Sequence, residues 1–149
     1  MLGIRNIKDH FIPYFCFTLA GATLIALFGN EINGSEQLTA WWTHSHFLYM
    51  FVVVSIFQEL AYRGYLIPAL GKLTSNYAMI IWTNTILFTF LHVIFPNPFV
   101  NLPVAFIGGL GFAIMYTRYP NLTLIMISHA ILNFLAVLYG FFVLPGITY

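Results

Sequence analysis

The stretch Gln58-Glu59-Leu60-Ala61-Tyr62-Arg63-Gly64 sets a carboxylate and a guanidinium four residues apart inside a long apolar run. Four residues is about one helical turn, so Glu59 and Arg63 share a face. At the centre of a spanning helix each such charge costs roughly 2.5–3.5 kcal/mol. An ion pair that ties helices together is one reason to carry that cost twice. A functional site is the other, and it is the default for an ionisable residue inside a membrane. Two further polar groups stand in apolar surroundings. His92 ends Phe88-Thr89-Phe90-Leu91-His92, and Ser128-His129-Ala130-Ile131-Leu132-Asn133 holds His129 and Asn133 one turn apart on one face. The economical arrangement brings Glu59, Arg63, His92, His129 and Asn133 together, so that they satisfy one another. A carboxylate, two histidines and an amide in a desolvated pocket suit three chemistries. Glu and His can activate water by general-base catalysis, with His129 and Asn133 donating to an oxyanion. Two His and one carboxylate can hold a metal. The same groups can line a proton or ion path. Spacing alone leaves all three open.

The elements that must position these groups follow from composition. The chain has 149 residues, 60% hydrophobic and only 6% charged, with mean hydropathy +0.88. Soluble domains carry about 25% charged residues. The expectation is therefore an all-α integral membrane protein: one polytopic helix bundle over residues 1–149, with about five transmembrane helices of about 20 residues each. A net charge of +1 gives no reason for a nucleic-acid partner. Cys16, the single cysteine, lies in the first apolar run and reads as a packing residue. That run reads as a retained helix and not as a cleaved signal peptide.

Apolar runs and breakers predict helices over about 11–28, 44–70, 77–95, 102–116 and 122–144. Pro96-Asn97-Pro98 ends the third, Arg118-Tyr119-Pro120-Asn121 forms a turn, and Trp41 and Trp42 suit an interfacial belt. Gly108-Gly109-Leu110-Gly111 with Ala113 lets helix backbones approach closely. At about 1.5 Å per residue, Glu59, His129 and His92 lie roughly 16, 12 and 20 Å from the same membrane face. Arg5 and Lys8, Lys72, and Arg118 all fall on that side of a five-span chain, which predicts a cytoplasmic N-terminus in the cell membrane. Of the other polar residues, His44 and His46 read as interfacial, Asn84 as a pocket residue or a helix bridge, and Tyr62 and Tyr65 as packing. Ser128 has no acid near it in sequence and points about 100° from His129.

Three motifs in order, (E/Q)ExxxRG, FxxxH and HxxxN, resemble the CPBP intramembrane proteases, the Abi-type family of CAAX-processing and bacteriocin-processing proteins. They stand as Gln58 to Gly64, Phe88 to His92 and His129 to Asn133. The resemblance implies a protease-like core over about 44–144. It implies hydrolysis of a peptide bond in a peptide or membrane-anchored protein, of the glutamate type and without cofactor or metal. Its first Glu and the second-motif His, here His92, would activate water. His129 and Asn133 would hold the oxyanion, and Glu59 with Arg63 would form a supporting pair. One position departs from the pattern, because the first Glu is Gln58, which cannot take a proton at neutral pH. Three explanations stay open: Glu59 serves as the base, the chain is a catalytically impaired binding or assembly factor, or Gln58 is an introduced replacement.

Overall fold

The computed structural model describes residues 6–33 and 45–142, with side chains over 6–32 and 51–142. Trp41, Trp42 and His44 lie outside the described residues, as does the His46 side chain. Among the described residues every regular element is helical: α1 (Ile7–Asn33), α2 (Ser45–Glu59), a π-helical segment (Leu60–Leu66), α3 (Ile67–Leu73), α4 (Tyr77–Phe90) with a 3-10 turn (Leu91–Ile94), α5 (Pro98–Arg118) and α6 (Leu122–Leu138). The stretch from α2 through the π segment to α3 is unbroken, so the described residues form five helical stretches.

Local chemistry sets the boundaries. Asn76 and Asn121 cap α4 and α6, their side chains accepting from Met79 N–H at 3.2 Å and Leu124 N–H at 2.9 Å. Asn97 takes the left-handed conformation (φ 57°) that Asn tolerates, and Pro98 opens α5 where a missing N–H costs nothing. The fourth stretch therefore starts four residues before the sequence expectation. The fifth ends earlier than expected, at Leu138. Gly140 (φ 82°) closes it in a Schellman motif, with Gly140 N–H on Val137 O and Phe141 N–H on Ala136 O.

Three helical stretches, Ile7–Ile32, Tyr77–Ile94 and Pro98–Arg118, are long and apolar enough to cross a membrane. Leu122–Leu138 is apolar but shorter, at 17 residues. The outer surface is greasy: Phe11, Ile12 and Phe15 on α1, Phe90 on α4 and Ile107 on α5 are all exposed. In a bilayer this coat faces lipid, and the chain is a polytopic helical membrane protein.

α6 is central, packed against α1 and α2 and touching α5 and the π segment, while α5 lies along α4. The glycines of α5 permit these approaches. A Cβ on Gly109 would stand 2.7 Å from Phe88 Cδ1, and one on Gly111 would stand 2.8 Å from Phe17 Cε2. The small-residue row thus admits aromatic rings from α4 and α1, where its spacing predicts a neighbouring backbone.

Candidate active site

The π segment is the hub of the polar network. Its hydrogen bonds run back five residues, as from Ile67 N–H to Tyr62 O. The sequence reading treats this stretch as ordinary α-helix; the structure gives seven π-helical residues at the first motif. Tyr62 O also accepts from Asn84 Nδ2 at 2.8 Å, so Asn84 bridges α4 to the hub. Tyr62 does more than pack, since its hydroxyl donates to Leu87 O at 3.1 Å. Gly64 lets α6 begin close by, because a Cβ there would come within 3.3 Å of Leu122 Cδ2.

Glu59, Arg63 and His129 form one buried cluster. Arg63 Nη1 donates to Glu59 Oε1 at 2.9 Å, and Nη2 donates to Gly109 O at 3.0 Å. His129 Nδ1 donates to the same Glu59 Oε1 at 2.5 Å. Glu59 and Arg63 are 0% exposed and His129 1%, so water screens none of these contacts. The guanidinium carbon lies 4.6 Å from the Phe88 ring centroid and 5.4 Å from that of Phe112, which lets aromatic faces share the cation. Because a carboxylate only accepts, the bond fixes His129 with its proton on Nδ1 and sets the plane of the ring.

Beside this cluster lies a cavity of about 80 Å³, lined by Phe51, Val54, Gln58, His92, Phe95, Asn133, Val137 and Phe142. His92 sits on the 3-10 turn with Nδ1 3.0 Å from Phe88 O. A carbonyl also only accepts, so Nδ1 carries the proton and Nε2 keeps a free lone pair. Phe88, Phe95 and Phe142 surround the imidazole at 4.8, 5.9 and 5.3 Å between centroids. Gln58 Oε1 is buried and has no partner among the described residues. Asn133 Nδ2 donates to Ser55 Oγ at 3.2 Å.

The polar groups expected in a single site thus fall into two adjacent sets. Gln58, His92 and Asn133 share the cavity, whereas Glu59, Arg63 and His129 are bonded to one another outside its walls. Phe88 explains the division. Its ring touches His92, His129 and the Arg63 guanidinium, filling the space where the two sets would otherwise merge. Ser128 pairs with Thr18, their hydroxyl oxygens 2.7 Å apart, and takes no part in either set.

Three contributors went unread in the sequence. Ser55 lies one turn before Glu59 on α2. Phe142 closes the cavity because the Schellman turn at Gly140 folds it back, with its N–H donating to Asn101 Oδ1 at 3.2 Å. Asn101 is itself held by a bond from Nδ2 to Pro96 O. Gly140, just past the last apolar turn of α6, was the available signal for that reversal.

For metal chemistry, the two histidines and the carboxylate would have to converge. Glu59 Oε1 is shared by Arg63 and His129 while its Oε2 has no partner, and no group of three or more His, Cys, Asp or Glu suited to a metal occurs among the described residues. A family model described as type II CAAX prenyl endopeptidase Rce1-like matches residues 40–135, a span that includes both polar sets. No curated protein and no solved structure matches the chain.

Proposed function

Because the chain belongs to the Rce1-like family of type II CAAX prenyl endopeptidases, intramembrane proteases as a class, we propose that its cavity hydrolyses a peptide bond in the tail of a lipid-anchored peptide or protein, with His92 as the proton acceptor. The observation that carries this reading is the division of the polar groups. Gln58, His92 and Asn133 face the cavity, while Glu59 is held away from it by Arg63 and His129.

The steps follow from the donors and acceptors available. A water in the cavity donates one proton toward His92 Nε2 and the other toward the unpartnered Gln58 Oε1, which orients it. As the water oxygen attacks the peptide carbonyl, His92 takes its proton and Asn133 donates an N–H to the developing oxyanion. His92 then returns the proton to the leaving amine. Glu59 and Arg63 act as a positioning pair that holds the π segment and the His129 ring. The aromatic wall of Phe51, Phe95 and Phe142 strengthens these contacts by excluding bulk water.

Glutamate-type hydrolysis needs a carboxylate at a cavity-facing position. Position 58 is that position here, and it carries an amide that orients water without accepting its proton. The chain is accordingly a slow endopeptidase, one side-chain atom from a fast one. The same amide favours a second reading, a membrane binding or assembly factor that grips a peptide tail without cutting it. The helix ends that carry Lys8, Lys72 and Arg118 support a cytoplasmic N-terminus.

The experiment is incubation of the protein in lipid vesicles with a prenylated CAAX-type peptide, followed by mass spectrometry of the products. Slow cleavage that disappears in a folded His92→Ala variant is the expected result. Saturable peptide binding, with no product above the His92→Ala background, would replace the endopeptidase reading with the binding one.

A further inference from the structure

Ser55 belongs to none of the three motifs, yet its side chain is 0% exposed and meets the cavity amide. It lies three residues before Gln58 on α2, hence on the same helical face. Its contact, Asn133, lies one turn beyond His129 on α6. The Ser55–Asn133 bond therefore joins the two helices that carry most of the cavity's polar groups.

An asparagine amide has two ends of nearly equal shape, one donating and one accepting. A cavity amide that must donate to an oxyanion is useless if it turns its oxygen inward. A serine inside a helix typically spends its own proton on the carbonyl one turn back, which leaves its oxygen as an acceptor. An acceptor beside Asn133 selects the nitrogen end: one N–H goes to Ser55 Oγ at 3.2 Å, in a side chain that lines the cavity.

We infer that Ser55 is a positioning residue, which holds the Asn133 amide with its N–H toward the reacting carbonyl; the inference rests on the endopeptidase reading above. The role requires that Ser55 act through Asn133 and not through general packing. Removing an oxyanion donor costs about 10²–10³-fold in turnover. Losing the neutral bond that aims the donor costs about threefold to tenfold.

The test is a double-substitution cycle of Ser55→Ala and Asn133→Ala in the faster Gln58→Glu protein, with kcat and KM measured on a prenylated peptide. The expected result is a drop of about threefold to tenfold in kcat for Ser55→Ala, with KM unchanged. In the Asn133→Ala background Ser55→Ala then changes kcat by less than about twofold. Equal losses in both backgrounds would show a merely structural serine and overturn the inference. If Asn133→Ala leaves kcat intact, the oxyanion role falls and the positioning role falls with it.

A second measurement does not depend on turnover. In protein carrying [15N]asparagine, the hydrogen-bonded side-chain proton of Asn133, assigned by its loss in Asn133→Ala, moves upfield on Ser55→Ala. An unchanged signal overturns the contact itself. If the Gln58→Glu protein proves inert, the endopeptidase reading fails, and the amide signal alone decides whether Ser55 holds Asn133.

Discussion

Replacing Arg63 by methionine removes the charge at the centre of the network while keeping most of the side chain's bulk. Arg63 makes two bonds, to Glu59 Oε1 at 2.9 Å and Gly109 O at 3.0 Å, and it has no exposure to water. The substitution leaves the Glu59 carboxylate buried with only His129 beside it and removes from the Gly109 carbonyl the donor it has in addition to its helical N–H partner. Breaking a buried pair from one side costs about 3–5 kcal/mol. The double replacement Glu59→Gln/Arg63→Met removes both charges, so what remains is the lost Arg63 bond to a Gly109 carbonyl still held in its helix, at about 0.5–1.5 kcal/mol. The double variant should therefore be more stable than Arg63→Met alone, though it carries one substitution more. Reversible unfolding in mixed micelles, followed by circular dichroism, measures the parent, Glu59→Gln, Arg63→Met and the double variant. An Arg63→Met cost below about 1 kcal/mol, or single costs that simply add in the double variant, would refute a mutually dependent buried pair.

Gly109→Ala forces a methyl to within 2.7 Å of a Phe88 ring already fixed by Arg63 and two histidines, and should cost about 1–3 kcal/mol. Gly108→Ala, whose nearest side-chain atom lies 4.0 Å away, should stay within about 0.5 kcal/mol, and thermal unfolding of the two side by side checks the contrast. Gly140→Ala places a Cβ at φ 82° and should cost about 1–2 kcal/mol. Because that turn aims Phe142 at His92, the same variant should show a changed ring-current shift on the His92 imidazole protons by NMR.

The membrane class, the five helical stretches and the pairing of Glu59 with Arg63 were legible because charge in an apolar run is rare and helical spacing is strict. The partition of the polar groups was not. It depends on the Phe88 ring, whose place in FxxxH reads as one more apolar residue until its contacts with His92, His129 and Arg63 are seen. Sequence position put Gln58 and Glu59 side by side and could not say which faced the cavity, since successive helical residues point about 100° apart. The π segment, with its five-residue hydrogen bonds, has no propensity signature in LAYRGYL. The early end of α6 was readable from Gly140, but the apolar residues beyond it continue the helical pattern, and they mask the reversal that brings Phe142 over His92.

Turnover of the parent chain, Gln58→Glu and Glu59→Gln on one prenylated, membrane-anchored peptide tests the central claim most directly. A positioned general base contributes about 10²–10⁴-fold. With Gln58 and His92 on one cavity and Glu59 Oε1 bonded to Arg63 and His129, Gln58→Glu adds a carboxylate base beside His92 and should raise kcat by up to about that factor. Glu59→Gln, in protein shown to be folded, should leave a reduced but measurable fraction of the parent rate. A parent as fast as Gln58→Glu, together with complete loss of turnover in folded Glu59→Gln, would make Glu59 the base and contradict the account.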